Sequence, residues 1–246
     1  MFLGSPRPCL DQKWPRREPK AKGRSRDLKP PRSPKQIGEE PSVAKHRRKI
    51  AEVFLNVPYD GNFERLFLAY IAGISAFGLV PRATLEIPLS TRRLEKIINL
   101  ITICRYSIHD LSRVESDATP PRTPRFNMPF ELGLAVAHQH SVKRGEHDWF
   151  VCEAKQRRLA KSLSDLNGTD PFIHDGKIVG VFRELCNIFA RSSRQPTTQD
   201  MHEIYRRLRI HLPEIMRRSA AISPYTSRVF KDLSLVAINY ANTLVH

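Results

Sequence analysis

Short apolar strands alternate with amphipathic helices along residues 51–189, and this alternation constrains the fold more than any other feature of the chain. The run AEVFLNV at residues 51–57 is β-branched and aromatic and is closed by Pro58, as expected of a buried strand. Asn62 is predicted to cap the helix that follows, and Gly78 to end it. Apolar periodicity predicts further strands at residues 80–85, 106–109, 149–152 and 172–174, and helices at residues 63–77, 92–103, 128–138 and 177–189.

Strands that alternate with helices form βαβ units, in which a parallel sheet lies between two layers of helices. Beyond residue 198 the pattern changes to two apolar helical stripes, at residues 201–215 and 229–240. We therefore predict a flavodoxin-like three-layer α/β/α fold with a parallel sheet of about five strands, plus a C-terminal α-helical pair. The expected divisions are a tail at residues 1–48, the α/β domain at 49–195 and the helical extension at 196–246.

The first 48 residues are rich in proline and basic side chains and have almost no apolar periodicity. Residues 1–49 hold 15 Lys or Arg and 5 Asp or Glu, so this segment carries a net charge of 15 − 5 = +10 out of the formal +16 of the whole chain. Such a segment is predicted to be disordered, because it cannot bury enough apolar surface to offset its loss of entropy on ordering. Two interpretations stay open: an arm that contacts nucleic acid or a membrane surface by electrostatics, and a solvated tail or wrongly assigned upstream sequence.

Several classes of protein are not supported by the sequence. The four cysteines lie far apart and form no pair at metal-ligand spacing, so no metal site is predicted and a reducing compartment is expected. There is no apolar signal segment and no stretch of about 20 apolar residues, so we expect a cytoplasmic protein without membrane contact. The glycine-rich fingerprints of Rossmann dehydrogenases and P-loop NTPases and the GxSxG motif of α/β-hydrolases do not occur, and no cofactor is predicted.

Polar residues lie at three places where ligands bind in open parallel sheets. The candidate binding residues lie after the first strand, after the third strand and at the opening of the third predicted helix: Asn56, Pro58, Tyr59 and Asp60, then Asp110, Ser112 and Arg113, then Asn127. Asp110 is predicted either to bind a ribose hydroxyl or to close its strand in an Asx turn. Arg113 and Arg125 are candidates for phosphate contacts through their planar guanidinium groups.

Glu131 is the candidate catalytic residue, because it is flanked by apolar side chains near a helix start. Burial would raise its pKa and the helix dipole would lower it. Such a carboxylate suits a nucleophile or a stabiliser of an oxocarbenium-like centre. The structural alternative is an ordinary helix start with Pro129 at the first position and Glu131 at the third.

The segments VFLNVPYDGNFERLF, CRYSIHDLSR and PRFNMPFELGLAVA resemble a bacterial family of TIR-like proteins related to nucleoside 2-deoxyribosyltransferases. The match is carried by HDLS at residues 109–112 and FELG at residues 130–133, and it covers roughly residues 51–152. The resemblance implies a flavodoxin-like fold and chemistry at an N-glycosidic bond of a nucleoside, a nucleotide or NAD. It also implies that Glu131 acts at the anomeric carbon, while Asn56, Tyr59, Asp110 and Asn127 hold the sugar and the base.

The sequence leaves three functions from different classes open. The first is an N-glycosidase or ribosyl transferase, for which NAD or another nucleotide is a substrate rather than a cofactor. The second is a module that binds a nucleotide without cleaving it and signals through the C-terminal helices. The third is an interaction domain that assembles with copies of itself, as TIR domains do, and for which no ligand is expected.

Overall fold

The computed structural model describes residues 50–87, 92–113, 125–156, 163–166 and 168–244. The tail predicted at residues 1–48 lies outside the described residues, as do residues 114–124. Within the part of the chain that is described, no helix is both long enough and apolar enough to cross a bilayer.

A five-stranded parallel sheet forms the centre of the fold. Its strands are β1 (Glu52–Asn56), β2 (Val80–Arg82), β3 (Tyr106–Asp110), β4 (Asp148–Glu153) and β5 (Phe172–Ile173). They are arranged in the order β2-β1-β3-β4-β5, and every neighbouring pair is parallel. This is the strand order of flavodoxin-like proteins, so the predicted fold class is confirmed. The order reverses between β1 and β3, where Asn56 lies opposite His109.

The described residues form six α-helices beside the sheet: α1 (Glu64–Ala76), α2 (Arg93–Ile103), α3 (Asn127–Ser141), α4 (Ile178–Ile188), α5 (Thr198–Arg218) and α6 (Ser227–Thr243). The alternation of side chains along β1 explains how the layers form. Val53 and Leu55 belong to the apolar cluster that includes α1 and α4, whereas Phe54 packs on the opposite face with α2 and α3. The sheet is therefore covered on both faces, as a parallel sheet requires.

The C-terminal helices extend the first of these two layers outward. Residues from α5 and α6 belong to the same apolar cluster as α1 and the sheet. Thr197 and Asp200 form a reciprocal capping box that begins α5, and Thr226 caps α6 by accepting the N–H of Val229. As a result α1 lies between the sheet and the helical pair, and 11 of its 13 residues, Leu66 through Ala76, are buried.

Two local predictions were wrong for reasons that involve side chains. The strand predicted at residues 80–85 ends at Arg82, because the Glu86 carboxylate accepts hydrogen bonds from the Arg82 side chain and the Ala83 N–H and so turns the chain into a single 3-10 turn. Asn62 does not cap the helix as predicted: α1 begins after Phe63, which provides no side-chain cap, and Asp60 caps the preceding 3-10 turn, Gly61–Phe63, by accepting the N–H of Asn62. Gly78 follows α1 with a φ of 73°, which is the left-handed conformation that ends many helices.

Candidate functional site

A cavity of about 260 Å³ lies at the carboxyl end of β1, beside the reversal of strand order. Three separate stretches of chain form its wall: the residues after β1, the turn after β2 and the start of α3. The lining residues are Asn56, Val57, Pro58, Tyr59, Thr84, Arg125, Asn127, Met128 and Glu131. The structure therefore brings Asn56, Pro58, Tyr59, Asn127 and Glu131 of the predicted set into one cavity.

Glu131 is the buried acid of this cavity. The helix α3 begins at Asn127, so Glu131 is its fifth residue and does not take the first-turn position expected of an ordinary helix start. The residue is only 6% exposed, and among the described residues its carboxylate accepts no hydrogen bond and forms no ion pair. Burial raises the pKa of Glu131 from its ordinary value of 4.5 to about 7, although the nearby positive charge of Arg93 opposes the increase.

Tyr59 and Arg93 share the electrostatic environment of Glu131. The Tyr59 hydroxyl lies 3.2 Å from the Thr84 hydroxyl. Burial raises the pKa of Tyr59 well above its ordinary value, and the negative charge of Glu131 raises it further, so this hydroxyl keeps its proton. Arg93 donates to the carbonyl oxygens of Ile87 and Thr84, at 3.0 and 3.5 Å, and places a positive charge close to the acid.

Asn56 joins the end of β1 to the two neighbouring elements. Its amide nitrogen donates to the carbonyl oxygen of Met128 at 2.9 Å and approaches Nδ1 of His109 at 3.0 Å. Because Nδ1 accepts this bond, the neutral His109 ring carries its proton on Nε2, and no described residue accepts from that buried atom. Burial lowers the pKa of His109 from 6.5 to about 3, so the ring is neutral at physiological pH.

Asp110 and Ser112 do not line the cavity. Successive side chains of a strand point to opposite faces. Asp110 therefore points towards α1, where it contacts Tyr70, whereas His109 lies on the face of Phe54, which α2 and α3 cover. The fully buried Asp110 carboxylate accepts bonds from the Tyr70 hydroxyl at 2.8 Å, His174 Nε2 at 2.9 Å and the Ser112 N–H at 2.9 Å. The last contact is the Asx turn that was the structural alternative for Asp110.

Asp60 follows the lining residue Tyr59 and pairs with two arginines, one of which lines the cavity; we call Asp60 and these arginines the mouth of the cavity. A single carboxylate oxygen, Oδ2, lies 3.1 Å from Nε of Arg113 and 3.0 Å from Nη1 of Arg125. The side chains of Arg113 and Arg125 are 44% and 27% exposed, so they remain accessible to solvent. Of these three residues, only Arg125 reaches the cavity wall.

The C-terminal extension also reaches the mouth of the cavity. Tyr225, which precedes α6, donates its hydroxyl hydrogen to the carbonyl oxygen of Asp60. Its ring packs against Tyr59, with ring centroids 5.6 Å apart, and against Phe67 at 5.2 Å. The turn that follows β1 is therefore held in place by a residue 165 positions away in the sequence.

Sequence reasoning missed Thr84, Arg93 and Tyr225. Ligands bind beyond the carboxyl ends of parallel strands, and Thr84 lies just after β2. It was not selected because the predicted strand at residues 80–85 included it. Arg93 and Tyr225 carry no local signal, because they reach the site only through tertiary packing.

Known proteins add no further assignment. No family model matches the chain, and neither a curated protein nor a solved structure is significantly similar to it. Within the described ranges, no group of three or more His, Cys, Asp or Glu side chains is arranged to hold a metal ion.

Proposed function

We propose that this protein cleaves or transfers the N-glycosidic bond of a nucleoside, a nucleotide or NAD, with Glu131 acting at the anomeric carbon. The observation that carries the proposal is a buried carboxylate that has no partner among the described residues and lines a polar cavity. Leaving such a group without a partner is destabilising, and perturbed acids of this kind cluster at functional sites.

The size and lining of the cavity favour a ligand of nucleoside dimensions. Its volume of about 260 Å³ lies just below the range of about 300–1,000 Å³ that is typical of sites for drug-sized molecules. A single nucleoside fits such a space, whereas only the reacting ribosyl half of a dinucleotide such as NAD would enter it. Amide and hydroxyl groups from Asn56, Asn127, Tyr59 and Thr84 supply the donors and acceptors that a sugar requires.

The chemistry follows from a carboxylate placed against an anomeric carbon. The bond between C1′ and the base nitrogen breaks, its electron pair leaves with the base, and an oxygen of Glu131 bonds to C1′ or stabilises the oxocarbenium-like centre. A water molecule or a second base then attacks C1′ and frees the carboxylate. With water, the oxygen stays on C1′ and the second proton of water goes to the departing base of a nucleoside or nucleotide, or to solvent when neutral nicotinamide leaves NAD. With a second base, the proton on its attacking nitrogen passes to the departing base and a new nucleoside forms.

The pKa of Glu131 gives this mechanism a pH dependence. Only the ionised carboxylate attacks or stabilises positive charge, so kcat/KM should increase as the pH rises through about 7. A protonated Glu131 that donates to the leaving base would give the opposite slope, so the profile separates the two roles.

The test is incubation of the full chain with NAD and a panel of nucleosides and nucleotides, with chromatography of the released base. Glu131→Gln should decrease base release by at least about a thousandfold. Glu95→Gln removes an exposed carboxylate near the start of α2 and should leave the rate unchanged. Equal release by wild type and Glu131→Gln, or no release by wild type, would contradict the proposal for that panel.

A non-catalytic nucleotide sensor is the second candidate. It is favoured by the contacts of Tyr225 with the Asp60 carbonyl and the Tyr59 ring, which connect the mouth of the cavity to the C-terminal helices. A sensor would bind a nucleotide with similar affinity in wild type and Glu131→Gln, without releasing base from either protein.

A further inference from the structure

We propose that Arg113 and Arg125 bind a phosphate group of the ligand, so that the substrate is a nucleotide rather than a neutral nucleoside. This inference rests on the proposed function, because it takes the cavity beside Glu131 as the place of the sugar. It assigns a ligand class to a pair of arginines that the glycosidic chemistry itself does not use.

Guanidinium groups close to the cavity would attract an anionic ligand. Among the described residues there, three guanidinium groups stand near two carboxylates: Arg93, Arg113 and Arg125 near Asp60 and Glu131. A neutral nucleoside would make no use of this charge, whereas a phosphate would be attracted by it.

The geometry of the arginine pair suits a ligand with several oxygens. Both guanidinium groups approach the same Oδ2 atom of Asp60, one through Nε and the other through Nη1. A phosphate offers several oxygens, so it is better able to receive both groups through parallel hydrogen bonds than one shared carboxylate oxygen is. Asp60 therefore holds the arginines in position and competes with the phosphate for them.

The start of α3 lies at the same cavity and favours an anion there. Phe126 precedes α3 and provides no side-chain cap, and the first turn contains no acidic residue. The first-turn residues Asn127 and Met128 line the same cavity as Arg125. Unsatisfied N–H groups at a helix start favour an anion. The carboxylate of Glu131, which is 6% exposed and has no partner among the described residues, is a second feature of this cavity that a bound ligand would explain.

The experiment measures binding to the Glu131→Gln variant of the full chain, which removes turnover, by calorimetry at low salt. The probes are adenosine, guanosine, cytidine and thymidine, the 5′-monophosphate of each, and inorganic phosphate. At least one monophosphate should bind about tenfold more tightly than its nucleoside, and added salt should reduce this preference.

Substitutions at the mouth should act in opposite directions. Arg125→Gln or Arg113→Gln should remove most of the monophosphate preference, and Arg113→Gln, whose residue does not line the cavity, should leave nucleoside affinity unchanged. Asp60→Asn keeps an acceptor for the Asn62 N–H but removes the competing charge, so it should tighten phosphate binding. Arg105→Gln is the matched control, since Arg105 pairs with Asp148 at 2.9 Å at the other end of the strands and should not affect any probe.

Equal affinity for nucleosides and monophosphates, a preference that survives Arg125→Gln, or no binding of any probe would overturn the inference. Phosphate binding that depends on Arg125 supports it even if wild type releases no base, in which case the proposed glycosidic cleavage alone fails. If wild type releases base from nucleosides but binds monophosphates no more tightly than nucleosides, the proposed glycosidic cleavage stands and the phosphate assignment alone is overturned.

Discussion

Replacing Glu131 by Gln should stabilise the folded protein, by an amount that increases with pH. The pKa of this acid is about 7 in the folded state and 4.5 when it is exposed. Between these values the folded state binds more protons than the unfolded state, so wild type loses stability as the pH rises from 4.5 through 7. The difference between the two pKa values corresponds to a loss of about 3 kcal/mol in the free energy of unfolding, since each pKa unit is about 1.4 kcal/mol.

Gln keeps the size and polarity of the side chain but cannot ionise, so the variant escapes this loss. Near pH 4.5 the two proteins should have similar free energies of unfolding, and above about pH 8 the variant should be more stable by about 3 kcal/mol. For a chain of this size that equals an increase in Tm of roughly 6–12 °C.

Urea and thermal unfolding of both proteins at pH 4.5, 6, 7 and 8.5 would measure the effect. Glu95→Gln is the control, because it removes a carboxylate that is exposed on α2. A stability difference that stays constant with pH, or that the control reproduces, would refute the idea that Glu131 is held in an unfavourable environment. A pH-dependent gain would be expected of an acid whose placement serves function rather than stability.

Three further predictions concern residues around the site. The pKa of the buried His109 ring is lower in the folded state than in the unfolded state, so the free energy of unfolding of wild type should decrease by up to about 5 kcal/mol as the pH falls from 6.5 to 3. His109→Gln removes this titration and should flatten the pH dependence of the free energy of unfolding between pH 6.5 and 4. Gly180→Ala should lower the free energy of unfolding in urea by about 1–3 kcal/mol, because a Cβ there would lie 2.0 Å from the His174 carbonyl oxygen. Gly133→Ala is the control: a Cβ at this position on α3 meets no atom within 4 Å, so the free energy of unfolding should stay the same or increase. Tyr225→Phe removes one hydrogen bond to the turn after β1 and should lower stability by about 1 kcal/mol, and Tyr225→Ala, which also loses the ring contacts, should weaken ligand binding in calorimetry.

The fold was predictable because its main determinant is local. Strand and helix periodicities are contained within each segment, and their alternation leaves few topologies to choose from. The errors arose where side-chain contacts outside the backbone pattern decide the conformation. Glu86 ends β2 by bonding Arg82 and the Ala83 N–H, and no periodicity in residues 80–85 indicates that contact.

The candidate site was predictable only in part, and one residue explains why. The third strand was predicted to end at His109, but it continues to Asp110, so the alternation of the pleat sends the Asp110 side chain towards Tyr70 and away from the cavity. A shift of one residue at a strand end reverses the face on which a side chain lies. Arg93 and Tyr225 could not be found at all, because their contribution depends on how distant helices pack.

The burial of α1 on all sides has a consequence for how the molecule opens. A helix between the sheet and the pair α5 and α6 cannot lose its outer cover without exposing apolar side chains such as Leu68, Ile71 and Ile74 to water. We therefore expect the amide hydrogens of α1 to exchange with solvent only through global opening, and to report the full free energy of unfolding. The helical pair therefore stabilises α1, the helix that follows the turn after β1. Any event that disrupts the packing of α5 or α6 would also make Tyr59 and Asp60, in that turn, more mobile.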